Sequence, residues 1–495
     1  MKLSTPSQCR SGKKVWVLLS GTVLLLLITS MSLTIGANGG ETTGSGSIQP
    51  AVVSAQETIT ETVFLPLVMR NYPPLPPIFG VHMFGINNNN GLAQAVEANA
   101  YWVNFAAFDW WVIEPERTDP PTYKWEVVDE QSLINASQEG LTVVARVHHT
   151  PPWAREDPNH NCSRIKQEYF DEFAQFLTAL VNRYKVSPYN VKYWELDSEV
   201  DVDPSIVEPA NPIGFWCWGD AGDEYHGGGY FAEMLKAAYP AIKAGDPRAK
   251  VVIGGLLLDC DPRNPPPGKD CKPSRFLEGI LRGGGGPYFD IVSFHAYAYQ
   301  GGEEGQMGNP SWTGGEWKQS TAVLEKASFM HEVLETYGHE DKGLMNMEAA
   351  LMCFEESEAC LETQAMYIPR AYAEALALNI TAQAWFTMKE PVWRYTGLLY
   401  ADLTPKPAYD AYKAAASFLT DVQYVEPAED YPGVEGYTFR RLDQSAYIDV
   451  IWSADGSPRS VSLPSGASAY DKYGSLIASS GTIHVDYSPV YIRRP

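Results

Sequence analysis

Positive charge is scarce in this 495-residue chain: 37 Lys and Arg stand against 60 Asp and Glu, a formal net charge of −23. That balance excludes a nucleic-acid partner, because such binding rests on neutralising phosphates with basic side chains. Long apolar runs are scarce too. The one long uncharged stretch is Val15 to Gly36, which excludes a multi-span membrane protein. Cysteine is limited to seven residues, and no CxxC pair or nearby His cluster marks a zinc site. His148-His149 is not the i, i+4 pair of a helical zinc motif. No phosphate loop, dinucleotide fingerprint or Ser nucleophile elbow stands in a strand–turn–helix context. No cofactor and no metal are expected. With 45% hydrophobic and 20% charged residues the chain is not disordered.

The N-terminus reads as an export signal. Lys2, Arg10, Lys13 and Lys14 are the only charged residues in 1–40, and the apolar run follows them. The run is also long enough to cross a bilayer, so an uncleaved membrane anchor is the alternative for segment 1–36. Either way the basic flank leaves the rest of the chain outside the cell. Residues 37–78 read as a linker, first rich in Gly, Ser and Thr, then closed by Pro73, Pro74, Pro76 and Pro77. Such a linker would tether the protein to the membrane or cell wall. Cys9 precedes the apolar run, which leaves six cysteines in the exported part. An even number there suggests disulfides. Six cysteines allow 15 pairings. Nearness in sequence favours Cys260–Cys271 and Cys353–Cys360, leaving Cys162–Cys217.

Between 79 and 420, short apolar runs recur with helical stretches between them. The strand candidates are 79–84, 101–105, 141–147, 191–196, 250–256, 289–295, 343–348 and 380–387. Near-continuous apolar runs suit strands buried on both faces of a parallel sheet. Helical periodicity is clearest in 168–184, 230–244, 320–337 and 361–378. Eight strand–helix units predict a (β/α)8 TIM barrel. A doubly wound sheet is the runner-up, but no Gly-rich turn follows the first strand. Residues 421–495 carry short runs at 437–440, 446–452, 460–463 and 482–485 between turn residues, which predicts a small all-β, sandwich-like C-terminal domain.

In a barrel, chemistry sits where strands give way to βα loops. Two glutamates fall at such places: Glu199, just after the fourth strand in Trp194-Glu195-Leu196-Asp197-Ser198-Glu199, and Glu348, at the end of the seventh in Met345-Asn346-Met347-Glu348-Ala349-Ala350. A carboxylate on an apolar strand is costly to bury unless it is paired or used. Two carboxylates across a barrel mouth match glycoside hydrolysis: one protonates the leaving oxygen, and the other attacks the anomeric carbon or activates a water.

These motifs, with Trp125 and Asp129, Thr150-Pro151-Pro152-Trp153-Ala154, Ser293-Phe294-His295-Ala296-Tyr297 and Gly397-Leu398-Leu399-Tyr400, resemble the clan of (β/α)8 retaining glycoside hydrolases that includes families 39 and 5. The resemblance implies that Glu199 is the acid/base and Glu348 the nucleophile. It implies that His295 and Tyr297 line the acid/base side, and that Trp385 floors the sugar site. It also implies that Trp153 and one residue of the His148-His149 pair, taken as His149, contact the sugar. Adjacent strand residues point to opposite faces, so only one of that pair is expected to face the site. The chain departs from the clan's pattern twice. Ser198 replaces the Asn that precedes the acid/base. Asn104 stands where the second strand normally carries an Arg near the nucleophile, although Arg146 offers a substitute. Without a nearby cation the nucleophile's pKa should rise. The long segment from Asp201 to Gly229, with Phe215, Trp216, Cys217, Trp218 and Tyr225, is expected to shape the leaving-group side. The leading reading is an extracellular retaining glycosidase acting on a carbohydrate substrate. The rival, favoured by Ser198 and Asn104, is a catalytically silent carbohydrate-binding surface protein.

Overall fold

The computed structural model describes residues 76–207 and 216–495. The export segment 1–36, nearly all of the linker and Phe215 lie outside the described residues. Among those described, no helix is long and apolar enough to cross a membrane.

Strands and helices alternate eight times: β1 (Phe79–His82), α1 (Leu92–Glu97), β2 (Trp102–Asp109), α2 (Glu130–Gln138), β3 (Thr142–His148), α3 (Phe170–Tyr184), β4 (Tyr193–Ser198), α4 (Gly228–Gly245), β5 (Lys250–Leu256), α5 (Phe276–Arg282), β6 (Ile291–Gln300), α6 (Val323–Thr336), β7 (Gly343–Met352), α7 (Glu358–Ala377), β8 (Ala382–Trp385) and α8 (Pro407–Leu419). The eight strands are parallel, and the β1–β8 and β5–β6 pairings close them into a barrel. Every strand candidate corresponds to a strand. Three run at least four residues further than expected: β2 stays paired out to Asp109, and β6 and β7 out to Tyr299 and Met352. Glu348 therefore lies within β7 rather than at its end.

Period-two alternation sorts the strand residues into two layers. Trp102, Val144, Val252, Ile291, Met345, Met347, Ala382 and Ala384 fill the barrel interior. The outward residues meet the helices, whose buried positions recur every three or four residues. In α3 these are Phe173, Phe176, Leu177, Leu180, Val181 and Tyr184.

From Val422 onward the chain is all β: β9 (Val422–Pro427), β10 (Glu435–Arg441), β11 (Tyr447–Trp452), β12 (Arg459–Ser462), β13 (Ser468–Tyr470), β14 (Leu476–Ala478), β15 (Thr482–Val485) and β16 (Val490–Arg494). Six form an antiparallel sheet in the order β9-β10-β11-β16-β13-β14, and β12 pairs with β15. Val461, Ile483 and Val485 of the small sheet share a core with Ile451, Ala469, Val490 and Ile492 of the large one. The large sheet's other face packs on the barrel. Tyr491 stacks on Phe418 of α8 at 4.4 Å, and the Arg370 guanidinium of α7 lies 4.8 Å from the Trp452 ring.

Three disulfides join Cys162 to Cys217, Cys260 to Cys271 and Cys353 to Cys360, the pairing favoured by nearness in sequence. Five of the cysteines lie in loops that follow barrel strands and Cys360 lies in the first turn of α7, so the crosslinks staple the βα segments around the mouth.

Candidate active site

Glu199 and Glu348 face each other across the barrel mouth. A carboxylate oxygen from each, together with a ring nitrogen of His295, lies within 4.8 Å of the other two. His295 Nδ1 is 3.0 Å from Glu199 Oε1 and 3.4 Å from Glu348 Oε2. The imidazole, buried at the centre of β6, thus ties the two carboxylates together.

The turn that carries Glu199 is bent by design of its neighbours. Asp197 and Glu199 both have left-handed φ, +66° and +52°, which side-chain-bearing residues adopt only when the surroundings enforce it. Enforcement comes from the Glu199 amide donating to Gly255 O at 2.7 Å. Asp197 accepts from the Ser198 and His149 amides, and Asp201 accepts from those of Leu257 and Leu258. Gly254 and Gly255 of β5 make room: a Cβ would stand 2.2 Å from Asp197 O at the first and 2.1 Å from His295 Nε2 at the second.

Glu348 is held ionised. Burial pushes its carboxyl up, but the charges of His295 and Arg146 and the Tyr297 hydroxyl outweigh burial, and the group sits well below the ordinary carboxylate range. Arg146 Nη2 donates to Glu348 Oε1 at 3.1 Å, and Tyr297 donates to Oε2 at 2.7 Å. His295 is shifted the other way. Burial lowers its pKa, but Glu348 and the hydrogen bond to Glu199 raise it further, so it favours the protonated form. A hydrogen bond to a charged group is worth about 1.5–3 kcal/mol. Tyr297→Phe is therefore expected to lower kcat/KM roughly 10–100-fold and to move the acidic limb of the pH profile upward. Steady-state kinetics across pH check both.

Several residues sit elsewhere than the sequence suggested. Asn104 is fully buried; its amide donates to Met347 O at 2.9 Å and its oxygen accepts from Arg146 at 3.4 Å. It orients the arginine and has no free face for a sugar. The expected loss of a cation beside Glu348 does not occur, because Arg146 reaches in from β3 and also pairs with Glu195 at 3.3 Å. Trp385 does not floor the site. Ala382 and Ala384 point inward, so alternation turns Trp385 outward, where its ring meets Tyr367 of α7 and its indole N–H donates to Thr396 O. The next residue, Phe386, takes the inward place, 4.9 Å from His82 and 6.0 Å from Tyr297.

Trp153 packs on Trp110 and Tyr169, with its N–H on Glu114 O. The alternation argument fails for the histidine pair. His149 lies beyond the strand at φ +61°, and its ring comes to 4.2 Å from that of His148. His149 Nδ1 is 3.1 Å from Asp109 Oδ2, on the β2–β3 side of the mouth. Trp216 and Trp218 are fully buried; they pack on Phe173 and Phe231 and do not line an open cleft. Ser198 is buried in the β4–β5 pairing, opposite Gly255.

Sequence reading missed Phe386 and His82, which no motif announces. A Gly-Gly pair inside an apolar strand was the available signal for the close approach at β5. Among the described residues, two groups have donor atoms close enough to share a metal ion: Asp109 with His148 and His149, and Glu199 with His295 and Glu348. In each, a hydrogen bond inside the cluster already joins two of the three groups: Asp109 with His149, and Glu199 with His295.

No protein-family model and no curated protein matches the chain. Solved structures match it in fold. A family 39 glycoside hydrolase from the gut symbiont Bacteroides cellulosilyticus WH2 superposes with a TM-score of 0.64 at 16% identity, over 85% of this chain and 81% of that one. A family 39 β-xylosidase from Caulobacter crescentus gives 0.55 at 16% identity, over 86% and 98%. An endo-β1,6-glucanase gives 0.54 at 9% identity, over 86% and 92%. At these identities the likeness is one of architecture.

Proposed function

We propose that this chain is a retaining glycoside hydrolase acting outside the cell on an oligo- or polysaccharide, with Glu199 as acid/base and Glu348 as nucleophile. The observation that carries the reading is the pair of facing carboxylates whose oxygens lie within 4.8 Å across the mouth. Retaining enzymes hold their carboxyl groups about 5–5.5 Å apart, whereas inverting ones leave a water's width of about 6.5–9.5 Å. The family 39 architecture of the structural neighbours supports the same chemistry.

In the first step Glu199 gives its proton to the glycosidic oxygen while the Glu348 carboxylate attacks the anomeric carbon. The C–O bond breaks, the alcohol leaves, and a glycosyl ester of Glu348 remains. In the second step Glu199, now a carboxylate, takes a proton from water as that water attacks the same carbon. The ester bond breaks and both glutamates return to their starting forms. Arg146 and Tyr297 keep Glu348 anionic until it attacks. His295, hydrogen-bonded to Glu199, steadies that residue in either charge state. Phe386 takes the flooring role beneath the sugar, and His149 borders it. Three disulfides favour an oxidising compartment, in keeping with an export or tethering segment at 1–36.

The test is a panel of aryl xylosides, glucosides, mannosides, arabinosides and uronides, with the anomeric configuration of the first product read by proton NMR. Turnover with retention is expected. Turnover with inversion would remove Glu348 as nucleophile. Sugar binding by calorimetry without turnover would favour the silent binder, for which the Ser198 departure is the specific observation.

A further inference from the structure

Aromatic rings continue past the reacting centre. Tyr297, whose hydroxyl binds the nucleophile, meets Trp393 of the loop after β8 at 6.1 Å. The Arg394 guanidinium lies 5.8 Å from the Trp393 ring and 4.8 Å from that of Phe354, in the loop after β7. Phe354 stacks on Tyr299 at the end of β6, 5.9 Å apart and nearly parallel. In the other direction Phe386 meets Phe84, after β1, at 6.2 Å. Phe84, Trp393 and Phe354 are 67%, 56% and 61% exposed. Single exposed apolar residues are ordinary, but a row that leads into a catalytic centre needs a ligand to explain it.

The row is also held rigid without serving the core. Cys353 donates to Arg394 O and is tied to Cys360, beside Phe354. Gln364 Nε2 donates to both Leu351 O and Tyr395 O. Arg394, shared between two rings, fixes their spacing through cation–π contact. Rings preorganised in this way bind with little loss of conformational freedom. A pyranose unit with an apolar C–H face suits them, its hydroxyls reaching the polar rim. The opposite side of the mouth carries Asp109 and His149, which suits hydroxyls rather than C–H faces.

We propose that Trp393 and Phe354 form a shelf for sugar units beyond the one that reacts, so that the substrate is a chain of neutral pyranoses rather than a lone terminal glycoside. The proposal rests on the glycosidase reading. The test compares kcat/KM on xylo- and gluco-oligosaccharides of rising length, and on an aryl monoglycoside, for the wild type, Trp393→Ala and Phe354→Ala. In the wild type kcat/KM should climb with chain length. In each variant the value on the longest oligomer should fall about tenfold or more beyond any change on the aryl monoglycoside. Equal losses on short and long substrates, or no length dependence in the wild type, would overturn the shelf. A protein that cleaves none of the series would overturn the enzymatic reading alone. The shelf then stands if the longest oligomer binds by calorimetry and both variants lose that binding. It falls if they bind equally or if nothing binds.

Discussion

Glu348→Gln should abolish turnover while leaving the sugar bound. Gln keeps the size of the side chain: its one carbonyl oxygen can still accept from Arg146, while its NH2 faces the Tyr297 hydroxyl, which can accept in turn. What it loses is the anionic oxygen that, in the proposed mechanism, forms the bond to the anomeric carbon. Removing a covalent nucleophile costs about 10⁶-fold in kcat in a comparable case, and a loss of that order is expected for every substrate, whatever its leaving group. Glu199→Gln should behave differently. It removes a general acid, a contribution of roughly 10²–10⁴-fold. That loss should shrink for aryl glycosides whose leaving groups need no proton, and a burst of phenol should then precede slow hydrolysis. The two patterns separate the roles. Matching losses across leaving groups in both variants would leave the acid/base and nucleophile undistinguished. Wild-type turnover in Glu348→Gln would remove the assignment altogether.

The barrel was legible because its eight strands are buried on both faces, and burial on both faces leaves an unbroken apolar run in the sequence. The C-terminal domain was half legible. Runs such as Tyr447–Trp452 stand out, whereas Leu476–Ala478 spans only three residues and is largely exposed, so composition does not mark it. At the site, Glu348 stood out because a carboxylate on an apolar strand is an anomaly, and Glu199 because it directly follows one. Around them, His295 and Tyr297 were named through the clan's motif and do touch the glutamates; Trp385 and Trp153 were misplaced, since such roles depend on which way a strand faces. Trp385 and Phe386 are neighbours, and a shift of one residue exchanges the helix layer for the sugar site. Arg146 lies 202 residues from Glu348 in sequence, and only the closed barrel brings them together. His148 and His149 violated alternation because the strand ends between them, a boundary that sequence places only to within a few residues.

Arg146 carries the second large effect. It is the buried cation that compensates for the missing strand-two arginine, and it serves Glu195 and Glu348 at once. In Arg146→Met, Glu348 keeps His295 and Tyr297 but loses this charge, so its pKa should rise by about one unit or more. The acidic limb of kcat/KM should move up by the same amount, because the attacking group must be ionised. Stability should follow with a sign set by the same shift. The Glu348 pKa is depressed in the folded protein. Its contribution is therefore fully present above the ordinary carboxylate value and is lost as pH falls through the folded one. Removing the arginine leaves two buried carboxylates short of a partner at neutral pH, a deficit of about 3–5 kcal/mol for a broken buried pair. In acid Glu348 protonates and the deficit shrinks. Urea unfolding at neutral and acidic pH, on variant and wild type side by side, reads this directly. Arg146→Lys supplies the control if the Met variant does not fold. It restores the charge without the fork that spans both carboxylates, so it should recover the position of the acidic limb while kcat stays reduced. A stability deficit that does not change with pH would mean that Arg146 serves packing alone, and that the charge on Glu348 is maintained by His295 and Tyr297 without it.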